Sequence, residues 1–358
     1  MKYAMMRNRC ALPARRLLFS LALPFALVAC GKGGDETQRA RVELGMKQQL
    51  AQQVGVLQTA AEELERIAPT PAGRGWDASK DAAALRAMMD AWTRGRVAYE
   101  LVEGALAPLF PQSDLATDAR YDDALAKLGS DGDPNPFDGQ GVVGMHAIER
   151  ILWADRIPPE VLAFEKGLPG YRPAAAPSTE IEARAFKEQL AHQLSVDAAA
   201  LKAQLDPLEL DIAFVFRGLI DLTREQLEKV DRAATGREES RYAQTTLRDL
   251  RANREGCLAA YRLFEPWLLA HEGQVLDAKV IAGYERLRVA YDALPGDALP
   301  RPPAGWSSLD PRPEQLATPF GELFSIVRRE TDDADPRSLA GTLMAVADAL
   351  SLPRAVLR

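Results

Sequence analysis

Cysteine and histidine are scarce in this chain, which has three of each among 358 residues. So few cysteines exclude a disulfide-dense scaffold and a zinc module built from cysteine. So few histidines exclude a metal site made of histidine alone, unless every one of them is used. Carboxylates are plentiful by contrast, with 51 Asp and Glu. Any metal site in this chain must therefore rely on oxygen ligands.

An excess of positive charge is also missing, since 44 Lys and Arg face those 51 acidic residues, for a net charge of −7. A nucleic-acid-binding protein needs a basic surface to neutralise phosphates, so the composition predicts no nucleic-acid partner. Hydrophobic residues reach 47%, which is ample for a buried core and too many for a disordered chain. The length suits one large domain or two ordinary ones.

The first 34 residues contain no acidic side chain, and four arginines precede a short apolar run over 17–29. A basic segment followed by an apolar run too short to span a membrane is the layout of a secretory signal. The run ends in Leu-Val-Ala-Cys30-Gly31, which resembles the lipobox of bacterial lipoproteins. That resemblance implies a signal peptide over 1–29 and lipid attached to Cys30, whereas an ordinary cleaved signal is the alternative. Gly31 in place of Asp favours the outer membrane over the inner membrane.

Removal of the signal peptide changes the charge and the cysteine count of the mature chain. Residues 1–29 contain five basic residues and no acidic one, so the net charge falls from −7 to −12. Cys257 is then the lone free thiol, and its apolar surroundings predict a small core residue. The polar segment 30–39 is predicted to be a flexible tether.

Apolar residues recur at intervals of three and four from residue 40 onward, which is the pattern of amphipathic helices. The pattern predicts helices over 40–67, 77–108, 114–128, 142–155, 179–205, 208–233, 238–270, 274–294, 314–331 and 336–350. Segments rich in Pro and Gly at 156–178 and 295–313 are predicted to be irregular. No stretch alternates apolar and polar residues over strand lengths. The predicted fold class is therefore all-α, and long helices with short breaks are typical of bundles.

A weak internal similarity suggests that two halves of the chain are related. Residues 96–107 align with 248–259 at five of twelve positions. Two related bundles that divide within 165–178 would give this spacing, although amphipathic helices also align in this way by chance. The predicted boundaries are a first bundle over 40–170 and a second over 171–358.

Pairs of metal-ligand residues occur at helical spacing in the first half. His146 and Glu149 are three residues apart, so an imidazole nitrogen and a carboxylate share one helix face and can bind one cation. On spacing alone, a half-buried histidine bonded to its neighbour is the leading alternative. Glu100 and Glu103 repeat the spacing on a helix that is apolar over a wide arc, so at least one of them faces the interior; a solvated acidic face is the alternative. Asp118 adds oxygen on the next helix.

Several catalytic motifs are absent. The di-iron pattern of Glu-x-x-His on two helices does not occur, because the order here is reversed and occurs once. The zinc-peptidase motif His-Glu-x-x-His is missing, and Arg150 stands where its inverted form needs a second histidine. Neither a nucleophile elbow of the form Gly-x-Ser-x-Gly nor a phosphate-binding loop is found.

Several segments together resemble the imelysin-like family, which includes the EfeO-type periplasmic iron-uptake proteins. Residues 144–149 read Gly-Met-His-Ala-Ile-Glu and resemble the family's Gly-x-His-x-x-Glu signature. Residues 96–103 resemble its Arg-x-x-Tyr-Glu-x-x-Glu segment, and 118–123 its Asp-Ala-Arg-x-Asp-Asp segment. Residues 238–256, which contain Glu-Glu and Asn-x-x-Gly, resemble a later segment. The similarity covers most of 40–350.

The resemblance implies two four-helix bundles with a cleft between them. Together with the internal similarity, it predicts that the two bundles are a pseudo-duplicated pair. It also implies a metal site. Its ligands would be His146, Glu149, Glu100, Glu103, Asp118 and, from the second half, Glu239. The chain departs from the family at Thr246 and Arg248, where an Asp and an aromatic residue are common, and 32–39 leaves no room for the cupredoxin-like domain of full-length EfeO.

Three functions are compatible with these features. The first is a lipid-anchored protein on the periplasmic face of a membrane that binds iron, with zinc as the alternative, and passes it to a membrane iron permease or other uptake components. The second is an imelysin-type metallopeptidase, which would need an open metal position and a base such as Glu103. The third is a metal-free structural or interaction lipoprotein whose acidic residues pair with arginines. The oxygen-rich ligand set and the charge of −12 favour the first, because a negative field draws cations.

Overall fold

A computed structural model of the protein describes residues 32–352. The predicted signal peptide over 1–29 and the predicted lipidation site Cys30 lie outside the described residues. All regular structure between residues 32 and 352 is helical, which confirms the all-α fold class. No helix in this part of the chain is both long enough and apolar enough to cross a membrane.

Fifteen α-helices, two 3₁₀ turns and one π turn make up the described fold. The α-helices are α1 (Lys32–Ile67), α2 (Ala82–Glu100), α3 (Glu103–Leu109), α4 (Pro111–Asp118), α5 (Tyr121–Leu128), α6 (Met145–Leu152), α7 (Pro159–Glu165), α8 (Glu180–Ala185), α9 (His192–Leu205), α10 (Ile212–Arg232), α11 (Thr246–Ala270), α12 (Gln274–Asp292), α13 (Pro313–Leu316), α14 (Pro319–Thr331) and α15 (Leu339–Ala349). The π turn Phe186–Ala191 joins α8 to α9 without a break.

The apolar stripe of α1 is the longest in the core. Val42, Met46, Leu50, Val54 and Leu57 recur at intervals of three and four, and all are buried. The stripe packs against α2, α9 and α11. Complete burial of each such side chain contributes about 1.5–3 kcal/mol, so the stripe fixes the position of three other helices.

The segment 30–39, predicted to be a flexible tether, is helical from Lys32 onward, where α1 begins. Asp35 lies in the first turn of α1 and accepts a hydrogen bond from Trp267 Nε1 at 2.9 Å. His271 Nε2 lies 2.8 Å from the same carboxylate oxygen. The carboxylate also suits the positive end of the helix dipole. A contact with the end of α11 therefore continues the helix through a segment whose composition suggested flexibility.

Several other predicted segments differ from the structure. The helix over 77–108 is divided into α2 and α3, so Glu100 and Glu103 lie on different helices, and the helix over 314–331 is divided into α13 and α14. The helix over 114–128 is divided into α4 and α5, which have two residues between them. The segment 156–178, predicted as irregular, contains the two-turn helix α7. The helix predicted to start at 238 starts instead at Thr246, after a turn segment that we define as residues 236–245. Gln244 has a φ of 57° there, in the left-handed region that ends regular helix.

The second half of the chain packs around α10 and α11. Helix α10 contacts α3, α11 and α14, while α12 contacts α11 and α15. Helix α9 lies along α1, and α11 contacts both α1 and α2. The described helices thus form a helical bundle, and its division into two pseudo-duplicated halves at residue 170 stays a prediction. Cys257 is buried in α11, as predicted.

Gly256 allows α11 to touch the backbone that follows α2. A Cβ atom at Gly256 would lie 2.0 Å from the carbonyl oxygen of Leu101, which is backbone and cannot move aside. Gly55 of α1 is also a helical glycine, but a Cβ atom added there would meet nothing within 4 Å. The two glycines therefore separate the cost of close packing from the general cost of glycine in a helix.

We expect Gly256→Ala to lower the free energy of unfolding by about 1–3 kcal/mol, because α11 and the segment after α2 must move apart. Gly55→Ala is the matched control and is expected to raise it by about 1 kcal/mol through helix propensity. Urea unfolding followed by circular dichroism measures both. Equal stability of the two variants would contradict the close approach.

Candidate metal centre

Helix α6 begins at a glycine that brings it against the end of α4. Gly144 has a φ of 85°, and a Cβ atom there would lie 2.6 Å from the carbonyl oxygen of Ala116. Only glycine accommodates both the conformation and the contact. This approach places His146, in the first turn of α6, beside Asp118, the last residue of α4.

The Nε2 atom of His146 faces two carboxylate oxygens. It lies 3.2 Å from Asp118 Oδ1 and 3.8 Å from Glu239 Oε1. The ligand atoms of these three residues all lie within 4.8 Å of one another. His146 is 2% exposed, and its Nε2 makes no hydrogen bond with any described residue. A buried imidazole nitrogen that makes no hydrogen bond and faces two carboxylates fits a metal ion such as iron or zinc.

Glu149 holds the other side of the imidazole ring. Its Oε2 lies 2.8 Å from His146 Nδ1, and its Oε1 accepts hydrogen bonds from the backbone N–H groups of Tyr242 at 2.9 Å and Ala243 at 2.8 Å. A carboxylate on the distal nitrogen fixes the ring orientation and the tautomer that offers Nε2 to a metal. The structure therefore places Glu149 on the opposite side of the ring from Asp118 and Glu239, and its predicted role as a metal ligand stays a prediction.

The carboxylates of this cluster set its protonation. Burial lowers the pKa of His146, but contacts with Asp118, Glu149 and Glu239 raise it well above its ordinary value. Burial raises the pKa of Glu239, yet Lys229 and nearby arginines lower it well below its ordinary value. Without a metal, these shifts favour a proton on the imidazole and the ionised forms of Asp118 and Glu239.

Arg96 contacts most of the carboxylates in the centre. Its guanidinium is completely buried and forms ion pairs with Glu100 and Asp118. It also lies 3.2 Å from Glu239 Oε1, and its Nε lies 3.9 Å from Asp249 Oδ2. The oxygens that face His146 are thus the same atoms that Arg96 binds.

Glu100 and Glu103 lie beside the imidazole cluster and bind a lysine. Lys229 Nζ donates to Glu103 Oε2 at 2.8 Å and to Glu100 Oε2 at 3.3 Å. Asn253 Nδ2 donates to the same two oxygens, at 2.8 Å and 2.5 Å. Burial lowers the pKa of Lys229, but Glu100 and Glu103 raise it well above its ordinary value, so the group is an ammonium ion. The predicted role of Glu100 and Glu103 as metal ligands stays a prediction.

Sequence reasoning did not identify Lys229 or Asp249 as part of the centre, and it gave arginines such as Arg120 only as partners of acidic residues in a metal-free protein. Arg120 donates to Glu239 Oε2 at 2.7 Å, and Ser240 donates to Asp249 at 2.5 Å. Lys229 had a detectable signal, because it interrupts the buried apolar stripe of α10. A lysine in such a stripe requires a buried partner of opposite charge.

Comparisons with known proteins match most of the chain. The family model described as Imelysin (Peptidase_M75) matches residues 46–319, which include all six predicted ligands. A protein of Staphylococcus haemolyticus (strain JCSC1435), named an Efem/EfeO family lipoprotein, is 26% identical over 254 residues. The alignment covers 69% of this chain and 75% of that protein.

We expect Arg96→Met to lower the free energy of unfolding in metal-free buffer by about 3–5 kcal/mol, because it removes the counter-ion that several buried carboxylates share. The matched control is Arg94→Met, on the same helix, whose pair with Glu63 is half-exposed. Such a surface pair contributes less than about 1 kcal/mol. Urea unfolding compares the two. Losses of similar size would show that Arg96 is not the central counter-ion.

Proposed function

The chain belongs to the imelysin family, and on that premise we propose that it is a lipid-anchored extracytoplasmic protein that binds iron and takes part in iron uptake. The observation that carries the proposal is the Nε2 atom of His146, buried, without a hydrogen-bond partner and directed at Asp118 and Glu239. Those three side chains are the proposed ligands. Glu149 would orient the imidazole, and the carboxylates around Arg96 would set the charge of the site.

The proposed location follows from the relative and from the N-terminal sequence. The Staphylococcus protein is named a lipoprotein, and Cys30 stands at the end of a lipobox-like segment. An anchor at Cys30, on the periplasmic face of the outer membrane, would leave a mature chain with a net charge of −12. A field of that sign raises the local concentration of cations. A membrane iron permease or another uptake component would then receive the ion.

Metal binding is supported better than peptidase activity. A metallopeptidase must bring a substrate backbone and a water molecule to an open coordination position. Glu239 and His146 are 1% and 2% exposed, and the side chain of Asp118 is 15% exposed. A single ion fits among such buried groups more readily than an extended peptide does. Zinc remains the alternative cargo, since imidazole with carboxylates suits both metals.

One observation favours a metal-free structural lipoprotein as the second candidate. Arg96 and Arg120 already bind the proposed ligands Asp118 and Glu239. Those pairs neutralise much of the buried negative charge without an ion. Metal analysis of protein purified anaerobically distinguishes the two functions, because the structural protein would contain no iron and its melting temperature would not respond to added metal.

We expect His146→Ala to weaken iron and zinc binding at least about tenfold, because it removes the only nitrogen ligand. His192→Ala is the matched control, since His192 lies on the surface and pairs with Glu65. Isothermal titration calorimetry with Zn²⁺, and with Fe²⁺ under anaerobic conditions, gives both affinities. The proposal fails if the two variants bind these metals as tightly as the unchanged protein.

We expect metal affinity to fall as the pH is lowered, by up to about tenfold per unit for one displaced proton. The carboxylates raise the pKa of His146 above its ordinary value despite its burial, so a metal at Nε2 must displace a proton. In metal-free protein the raised pKa of His146 stabilises the fold at pH values below the unfolded pKa of about 6.5. This contribution to stability is lost as the pH rises through the pKa of His146 in the folded protein. Calorimetry in buffers of different ionisation enthalpy counts the released protons. Affinity independent of pH would place the metal elsewhere.

A further inference from the structure

We infer that Lys229 limits this centre to one metal ion, because its ammonium group fills a second, oxygen-lined cation position. The inference deepens the proposed function, since the first position is the one at His146. The second position is made by Glu100, Glu103 and Asn253, which lie at the end of α2, at the start of α3 and within α11.

The Lys229 nitrogen has the surroundings of a bound cation. Its Nζ lies 2.8 Å from Glu103 Oε2, 3.1 Å from Asn253 Oδ1 and 3.3 Å from Glu100 Oε2. Lys229 is 3% exposed, so these oxygens take the place of water around the ammonium. Two carboxylates and an amide oxygen are also the donors that hard metal cations prefer.

The orientation of the amide is fixed by groups outside the position. The Tyr291 hydroxyl donates to Gln226 Oε1 at 3.0 Å, and Gln226 Nε2 donates to Asn253 Oδ1 at 3.2 Å. Asn253 Nδ2 also donates to the backbone oxygen of Glu100 at 3.0 Å. The oxygen of Asn253 therefore points at Lys229 because its nitrogen is already committed. The position does not depend on Lys229 alone for its shape.

Arg96 lies between the second position and the first, and Glu100 contacts both Arg96 and Lys229. Glu100 Oε2 faces Lys229, and its Oε1 pairs with Arg96. Arg96 in turn contacts Glu239, whose Oε1 faces His146. The two positions are therefore linked through Arg96, and Lys229 supplies the positive charge of the second one.

A cavity borders the second position. A cavity of about 210 Å³ lies between α3 and α10, and Glu103, Asp221 and Glu225 are among its lining residues. Glu103 belongs both to the cavity wall and to the surroundings of Lys229, and its side chain is 11% exposed. Removal of the lysine ammonium would therefore leave an acidic position next to this cavity.

The test counts bound Mn²⁺ in metal-free protein by calorimetry and by elemental analysis after gel filtration. Lys229→Met removes the charge at similar length and is expected to bind one Mn²⁺ more than the unchanged protein. Lys229→Arg keeps the charge and is expected to bind the same number as the unchanged protein. Lys229→Met combined with Glu103→Gln is expected to lose the extra ion.

The outcomes separate this inference from the proposed function. If the unchanged protein binds no metal and Lys229→Met binds one ion, the proposed function fails and the second position stands. If the unchanged protein and Lys229→Met bind the same number, the inference is overturned. It is also overturned if the extra ion persists after Glu103→Gln.

A second measurement covers the case in which Lys229→Met does not fold without metal, since an unpaired buried carboxylate is strongly destabilising. Lys229→Ala is refolded in methylammonium chloride and in sodium chloride at equal ionic strength. Methylammonium is expected to raise the melting temperature and the refolding yield of this variant and to leave the unchanged protein unaffected. The same melting temperature and refolding yield in both salts would overturn the inference.

Discussion

The buried guanidinium of Arg96 is the interaction on which the architecture of the centre depends. It contacts carboxylates from four parts of the chain: Glu100 at the end of α2, Asp118 at the end of α4, Glu239 in the turn segment and Asp249 in α11. A guanidinium in the interior is costly unless its hydrogen-bonding groups find acceptors. The four segments must therefore converge on one point, and the packing of α2, α4 and α11 is tied to that requirement.

That convergence also shapes what the site can do. Asp118 and Glu239 direct the same oxygen atoms at Arg96 and at His146 Nε2. Under the proposed function, a bound metal would share these oxygens with a fixed positive charge, which weakens their donation to the ion. Weak donation suits a protein that passes its ion on, whereas a closed structural site gains from the strongest ligands. Under the proposed function, the arginine that builds the centre would thus also restrain its affinity for the ion.

The helices could be predicted where a local sequence pattern determines them. They were predicted less well where contacts between distant residues determine the backbone conformation. The α1 stripe from Val42 to Leu57 follows the helical period, and the structure buries it. Residues 238–245 carry no proline or glycine, so the pattern extended α11 through them. The structure has a turn there because Glu149 accepts two backbone N–H groups from Tyr242 and Ala243, about ninety residues away in sequence. Lys229 escaped notice for the same reason, since its partners Glu100 and Glu103 belong to other helices.

The Asn-x-x-Gly segment of α11, which the sequence offered only as a resemblance, has a packing role in the structure. Gly256 removes the side chain that would collide with the Leu101 carbonyl, so α11 can lie against the end of α2. Asn253 precedes it by nearly one helical turn and thus occupies the same face. At that separation its amide reaches both the backbone oxygen and the carboxylate of Glu100. Gly256 allows α11 and the end of α2 to approach closely, and Asn253 forms hydrogen bonds across that short distance. Replacement of either residue would therefore move the carboxylates that surround Lys229.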